Sequence, residues 1–230
     1  MQVFTNINAD ILAPLEAYRK FVMSPEISAS LEASVARKGS KFLSEGRAEE
    51  PCSLDYLMSI DHERHAGFPL HMHGIDINYK VLSQDTQRVN AKHLSEIRRH
   101  DHELDDQLQT YLGARFCALK AYYPPQGHIG WHNNWNAAGY NILFTYSGSG
   151  DGYWRHVDPK GNGVVPKAEN IVHVPDAPGW HCKVGYFGSK KEADRVLWHC
   201  AYTNEPRLSV GYVVYDQGIW ENMVEEIRGA

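Results

Sequence analysis

Along residues 8–41 the apolar positions Ile11, Leu12, Leu15, Tyr18, Phe21 and Val22, then Ile27, Leu31 and Val35, recur at the spacing of an amphipathic helix. Two helices are expected, divided at Pro25, which follows Ser24 where a proline opens a helix behind a capping serine. Residues 40–51 are polar and contain glycine, which reads as a loop. Further on, Ile75, Ile77, Tyr79 and Val81 alternate as a strand does. Residues 90–112 carry Leu94, Ile97, Leu104, Leu108 and Leu112 among many charges, the pattern of an exposed amphipathic helix that Gly113 is placed to end.

After Gly113 the pattern changes. The stretches 116–123, 140–146, 151–157, 170–174, 182–187, 195–202 and 208–215 are short, aromatic-rich and β-branched, and each predicts a strand. Turn-formers divide them: Pro124 and Pro125, the run Ser147, Gly148, Ser149 and Gly150, and residues 159–163. Regular spacing of this kind marks a sandwich, jelly roll or barrel. The expected fold class is mainly β with flanking helices (α+β). A helical and irregular flank over residues 1–112 would pack on a β core over 113–230, as one compact domain, with a last helix near 219–227.

With 230 residues, 43% hydrophobic and 22% charged, the chain has the composition of a soluble globular protein able to bury a proper core. A formal net charge of -5 without a basic stripe gives no sign of nucleic-acid binding. Cys52, Cys117, Cys182 and Cys200 lack CxxC spacing, so reduced, mostly buried thiols are expected rather than a zinc knuckle or redox pair. No window approaches the ~18 apolar residues of a membrane span, and residues 1–10 lack a signal pattern. A soluble, cytoplasmic protein is the expectation.

Most of the thirteen histidines are expected at structural or surface positions, and placement on strands separates the rest. His132 and Asn134 stand two apart on an expected strand, which points both side chains to one face. His199 falls on a later strand, and Arg207 and Ser209 begin the next after a turn at Asn204, Glu205 and Pro206. Two imidazoles with an oxygen ligand and open positions form the facial arrangement of non-heme iron oxygenases. His62, His65, His71 and His73 match no zinc frame and read as surface or substrate-loop residues. His128 shares an expected face with His132 and reads as a supporting group, and His173 and His181 receive no role. Trp131, Trp135, Trp154, Trp180 and Trp198 read as core.

Residues 116–215 resemble the 2-oxoglutarate- and iron(II)-dependent oxygenases, in their prolyl-hydroxylase-like branch. The resemblance rests on Tyr123, Gly127, His132 and Asn134, which match a tyrosine, a glycine and a His-x-Asp pair, then on His199 as the distal histidine and Arg207 with Ser209 as an Arg-x-Ser pattern. It implies a double-stranded β-helix (jelly-roll) core, with Fe(II) held by His132, Asn134 and His199. Arg207 and Ser209 would bind the outer carboxylate of 2-oxoglutarate, with Tyr146 as the partner tyrosine and Tyr123 the runner-up. An arginine suits that task because its planar fork matches a carboxylate and stays charged. The implied reaction is hydroxylation of a small molecule or a protein side chain.

Asn134 departs from the family pattern, since an amide offers the metal only a neutral oxygen. Three readings stand beside one another: ligation through that oxygen in a working oxygenase, a coordination place left to halide or water as in halogenating relatives, or a lapsed enzyme. Asp151 is a further carboxylate candidate. The rival classes are a noncatalytic jelly-roll module for binding or assembly, and a cupin-type metal enzyme that uses no oxo-acid.

Overall fold

The computed structural model describes residues 1–160 and 163–229, with Asp85 described by its backbone alone; of the turn expected over residues 159–163, Gly161 and Asn162 lie outside the described residues. A short strand β1 (Gln2–Phe4) precedes helices α1 (Ala9–Val22) and α2 (Pro25–Lys38). Asn8 caps α1 by accepting from the Asp10 N–H at 3.0 Å. Pro25 opens α2, where a missing N–H removes no helical hydrogen bond. Ile11, Leu15, Tyr18 and Val22 line the buried stripe of α1, and Ile27, Leu31 and Val35 that of α2.

Two expectations for this half are corrected. The supposed loop at 40–51 contains the helical turn α3 (Lys41–Ser44) and a 3-10 turn at Glu50–Cys52, with Phe42 buried edge-on against His71 at 4.8 Å. The alternating run from Ile75 to Val81 is strand only at β3 (Ile75–Asp76), while Tyr79–Val81 forms a 3-10 turn. Here Asp76 accepts from the Asn78 N–H at 2.9 Å and Asn78 accepts from the Lys80 N–H at 3.1 Å, so side chains compete with the ladder for the backbone donors.

Between these pieces lie α4 (Leu54–Ser59), β2 (Met72–His73) and α5 (Gln84–Val89), and then the long helix α6 (Leu94–Tyr111). Its buried stripe is Ile97, Asp101, Leu104, Asp105 and Leu108, so two of the charges that read as exposed face inward. Gly113 follows the helix at φ +58°, a conformation glycine adopts without a Cβ penalty.

The remaining elements are β4 (Phe116–Tyr123), β5 (His128–His132), β6 (Gly139–Ser147), β7 (Gly152–Val157), β8 (Ile171–Pro175), β9 (Gly179–Phe187), β10 (His199–Thr203), β11 (Arg207–Val214) and α7 (Gln217–Arg228). They build two antiparallel sheets, a six-stranded one in the order β1-β9-β6-β11-β4-β3 and a five-stranded one in the order β2-β5-β10-β7-β8. Residues 1–112 therefore supply strands to both sheets as well as helices. Among the described residues no helix is long and apolar enough to cross a membrane.

Strand alternation divides the molecule into layers. On the six-stranded sheet Tyr122, Ile142, Phe144, Cys182, Val184, Leu208, Val210 and Tyr212 join the buried stripes of α1, α2 and α6 in the main apolar core. The alternate residues of the same strands face the five-stranded sheet. On that sheet Trp131, Cys200 and Tyr202 form the outer layer, under the segment that carries Cys52 and Leu57. Ile129, Trp154 and Ala201 pack inward with Phe187 of β9.

Candidate functional site

His132 and His199 meet inside, between the sheets. They are direct cross-strand partners on β5 and β10, and their ring centroids lie 4.1 Å apart. Each Nδ1 faces a main-chain carbonyl of its own segment, His132 to Gly130 at 2.9 Å and His199 to Leu197 at 3.0 Å. A carbonyl only accepts, so Nδ1 carries the proton and donates it, and the lone pair of each neutral ring is on Nε2. This is the orientation that metal-binding histidines receive from their supporting contacts. Burial and then the neighbouring His199 hold His132 well below the usual imidazole range, and burial brings His199 down to about 4, so both rings are neutral at pH 7.

A bulge in β5 creates this pairing. The register runs His199 to His132 and then Ala201 to Ile129, so two residues of β5 stand opposite one of β10. Ile129 and His132 both face inward as a result. The expectation that His128 shares the face of His132 is corrected for the same reason: His128 pairs with Tyr202 and packs 5.9 Å from His73 and 6.5 Å from Phe42.

Asn134 is not on a strand, which corrects the same-face argument for it. β5 ends at His132, and Asn134 begins the 3-10 turn at Trp135–Ala137, its carbonyl accepting from the Ala137 N–H at 2.8 Å. Asp151 is also corrected as a metal candidate: it is exposed and binds Asn204 Nδ2 at 3.0 Å beyond the far end of β7. Among the described residues no three His, Cys, Asp or Glu side chains converge as a metal group.

Arg207 lies on the inner face at the start of β11, buried, in cross-strand register with Tyr123 and Ser147. Its Cζ stands 5.8 Å from the centre of the Tyr123 ring, and Ser209 follows on the same face, also buried. Tyr146 is corrected. On β6 it alternates with the inward Thr145 and Ser147, so it faces the helices, with Arg19 of α1 4.6 Å over its ring and Trp180 at 5.6 Å. Of the two tyrosines, Tyr123 is the one on the arginine's side.

Several groups received no role from the sequence. Asp176, in the turn after β8, takes Arg207 side-on, with Nε to Oδ2 at 3.0 Å and Nη2 donating to Oδ1 at 3.3 Å. Lys183 Nζ donates to the same Oδ1 at 3.1 Å, and His181 Nε2 lies 3.1 Å from that oxygen and 2.7 Å from Nζ. All four residues are buried. Burial alone would raise the Asp176 carboxyl, yet the charges of Arg207 and Lys183 and the His181 contact hold it far below the usual carboxylate range. His156 on β7 is the other cross-strand partner of His199, buried, and brought by burial to about 4. The alternation of β9 signals the inward polar face, since His181 and Lys183 interleave with Trp180, Cys182 and Val184. Nothing local signals Asp176, which sits in a turn.

His62, His65 and His73 are buried, whereas His173 is exposed. His62 and His65 pack edge-on against Trp198 at 5.0 and 4.8 Å, and His65 Nδ1 accepts from the Gly67 N–H at 3.0 Å. His173 takes a hydrogen bond from Arg155 Nε at 3.1 Å.

No family model matches the chain. No curated protein matches it either. Among solved structures it is similar to a Pseudomonas putida prolyl-4-hydroxylase, with 17% identity and a TM-score of 0.30 over 54% of this chain and 62% of that one. The chain thus spans less than two thirds of that protein's length. It is also similar to a prolyl hydroxylase from Trichoplax adhaerens, solved in complex with a hypoxia inducible factor peptide fragment, with 8% identity and a TM-score of 0.33 over 93% of both chains. Both of these structures are prolyl hydroxylases, and the similarity to each is low.

Proposed function

We propose that this chain is an iron(II)- and 2-oxoglutarate-dependent oxygenase with a jelly-roll core. The observation that carries the reading is the buried pair His132 and His199, with both Nδ1 atoms tied to carbonyls and both Nε2 lone pairs left for a metal. The winding supports it: from β4 to β7 successive strands alternate between the two facing sheets. Asn134, in the turn that leaves β5, would be the third, neutral ligand.

The donor set fits a divalent metal in part, with two imidazoles from strands and an amide from a turn. It also fits an oxo-acid, because Asp176 engages only the Nε and Nη2 edge of Arg207, and Nη1 has no partner among the described residues. Arg207 would orient the outer carboxylate, and Trp154, Phe187 and Ile129 would exclude water from the space beside the histidines. When bound, iron(II) and the oxo-acid supply the activation of dioxygen. In the balanced reaction one oxygen atom enters succinate as carbon dioxide leaves, and the other enters a C–H bond of a small molecule or a protein side chain.

The test is cobalt(II) uptake followed by visible absorption, with succinate formation measured on the iron(II) form. His132→Ala and His199→Ala should each weaken metal binding by about 100-fold or more, beyond the 10–100-fold typical of losing a supporting contact. Wild-type protein that takes up no cobalt(II) would overturn the reading. Asn134→Asp then separates the alternatives: a large gain in turnover means that the amide attenuates the natural site, and a loss of existing activity means that the amide belongs to the mechanism. A specific observation favours a noncatalytic module as the second reading, namely that no carboxylate joins the two imidazoles among the described residues. Metal uptake without succinate in either Asn134 form would support that module.

A further inference from the structure

Deep between the sheets, Arg207 and Lys183 share a single carboxylate, Asp176, and all three are buried. With both bases charged the cluster carries one surplus positive charge. A buried charge without a partner costs several kcal/mol, so a fold would not retain one merely to close its core. The neighbouring polar atoms are equally incomplete. His181 Nε2 stands between a donor and an acceptor, 2.7 Å from Lys183 Nζ and 3.1 Å from Asp176 Oδ1. His181 Nδ1 is buried with no hydrogen-bond partner, and so is Oγ1 of Thr145, the cross-strand neighbour of His181. Arg207 Nη1 has no partner among the described residues. Positive charge is in excess here, and what is missing is a partner with one negative charge.

We propose that Lys183 is a second cation of a carboxylate-binding chamber, and that the surplus charge left after Asp176 has neutralised one of the two bases is matched to one carboxylate of an oxo-acid. The inference rests on the oxygenase reading above and deepens it by adding a charge beyond Arg207. Along β9 the inward residues run Gly179, His181, Lys183, Gly185 and Phe187, and the Phe187 ring centre lies 4.9 Å from that of His199. The cation cluster and the histidine pair thus occupy the two ends of one interior face. Asp176 acts as a positioning residue that holds both bases. Burial brings the Lys183 amine down to about 8, with Asp176 opposing that fall and Arg207 adding to it. The groups that face it are Asp176 from the turn after β8, His181 from β9 and Arg207 from β11, with the Cys182 thiol beside it in sequence. Carboxylate binding is therefore strongest below about pH 8 and declines above it as the surplus charge is lost.

The test is calorimetric titration of 2-oxoglutarate, with manganese(II) in excess, into wild type, Lys183→Met, Lys183→Arg and Arg207→Met. Lys183→Met should weaken binding by about tenfold or more, the worth of a charged hydrogen bond, without lowering the melting temperature. Lys183→Arg should restore most of the affinity. A lysine that served only Asp176 would show the reverse, with a lower melting temperature and unchanged binding, and that result overturns the proposal. Should Lys183→Met fail to fold, the wild-type profile decides: affinity falling about tenfold between pH 7 and 9 supports the second cation, and a flat profile rejects it. Wild type that binds no 2-oxoglutarate rejects both the proposal and the cosubstrate reading. Arg207→Met that binds normally beside a weakened Lys183→Met rejects only the role given to Arg207.

Discussion

On the helix-covered face of the six-stranded sheet, buried Lys120 meets Asp101 at 2.6 Å and Asp105 at 2.7 Å. On the opposite face, Lys183 and Arg207 meet Asp176 at 3.1 and 3.0 Å. The first cluster has one base and two acids, and the largely exposed Lys80 reaches Asp105 at 3.4 Å to balance it. The second has two bases and one acid, and no further acid reaches it among the described residues. Both are equally dry, so the difference lies in completion. The helix-side cluster draws its missing charge from its own chain, whereas the inner one leaves a positive charge and the Arg207 Nη1 donor without a partner among the described residues. That asymmetry is what the proposed oxo-acid site rests on.

The largest expected effect breaks the comparison from the structural side. Lys120→Met strands two buried carboxylates and should cost about 3–5 kcal/mol in urea denaturation. A loss under 1 kcal/mol would mean that the helix-side cluster is no more structural than the inner one. Next in size, Tyr123→Phe should weaken 2-oxoglutarate binding by about tenfold at unchanged stability, as expected for a lost hydrogen bond to a charged group. Unchanged binding removes Tyr123 from the chamber.

A smaller effect concerns pH. Burial raises the Asp76 carboxyl, on the edge strand β3, to about 6 from an ordinary 3.8. Between about pH 4 and 6 the folded chain keeps a proton that the unfolded chain has released, so stability falls as pH rises through this window and stays reduced above it. Asp76→Asn should flatten the urea-midpoint profile there and gain about 1 kcal/mol at pH 7. A profile that keeps its slope assigns the titration to another group. The smallest expected effect is Tyr146→Phe, which should leave oxo-acid affinity within about twofold, because the hydroxyl lies on the face opposite Arg207.

Much of this was legible along the chain wherever a single periodicity carried it. The helical step of Ile11, Leu15, Tyr18 and Val22 placed α1, and the apolar set Tyr140, Ile142, Phe144 and Tyr146 already belonged to one face of β6. By that alternation Tyr146 faces the helices with Ile142 and Phe144, away from Arg207. The alternation of His181 and Lys183 with Trp180, Cys182 and Val184 was equally open to reading.

Local sequence determined the longer helices and most strands of the β half, because their apolar steps span only a few residues. Only the tertiary structure decided that β5 bulges and turns His128 away, that Asn134 lies past the strand end, that Asp176 reaches Arg207, and that Lys120 answers Asp101 and Asp105. Each of these depends on register or on contacts between residues distant along the chain, and neither is encoded in any short window of sequence.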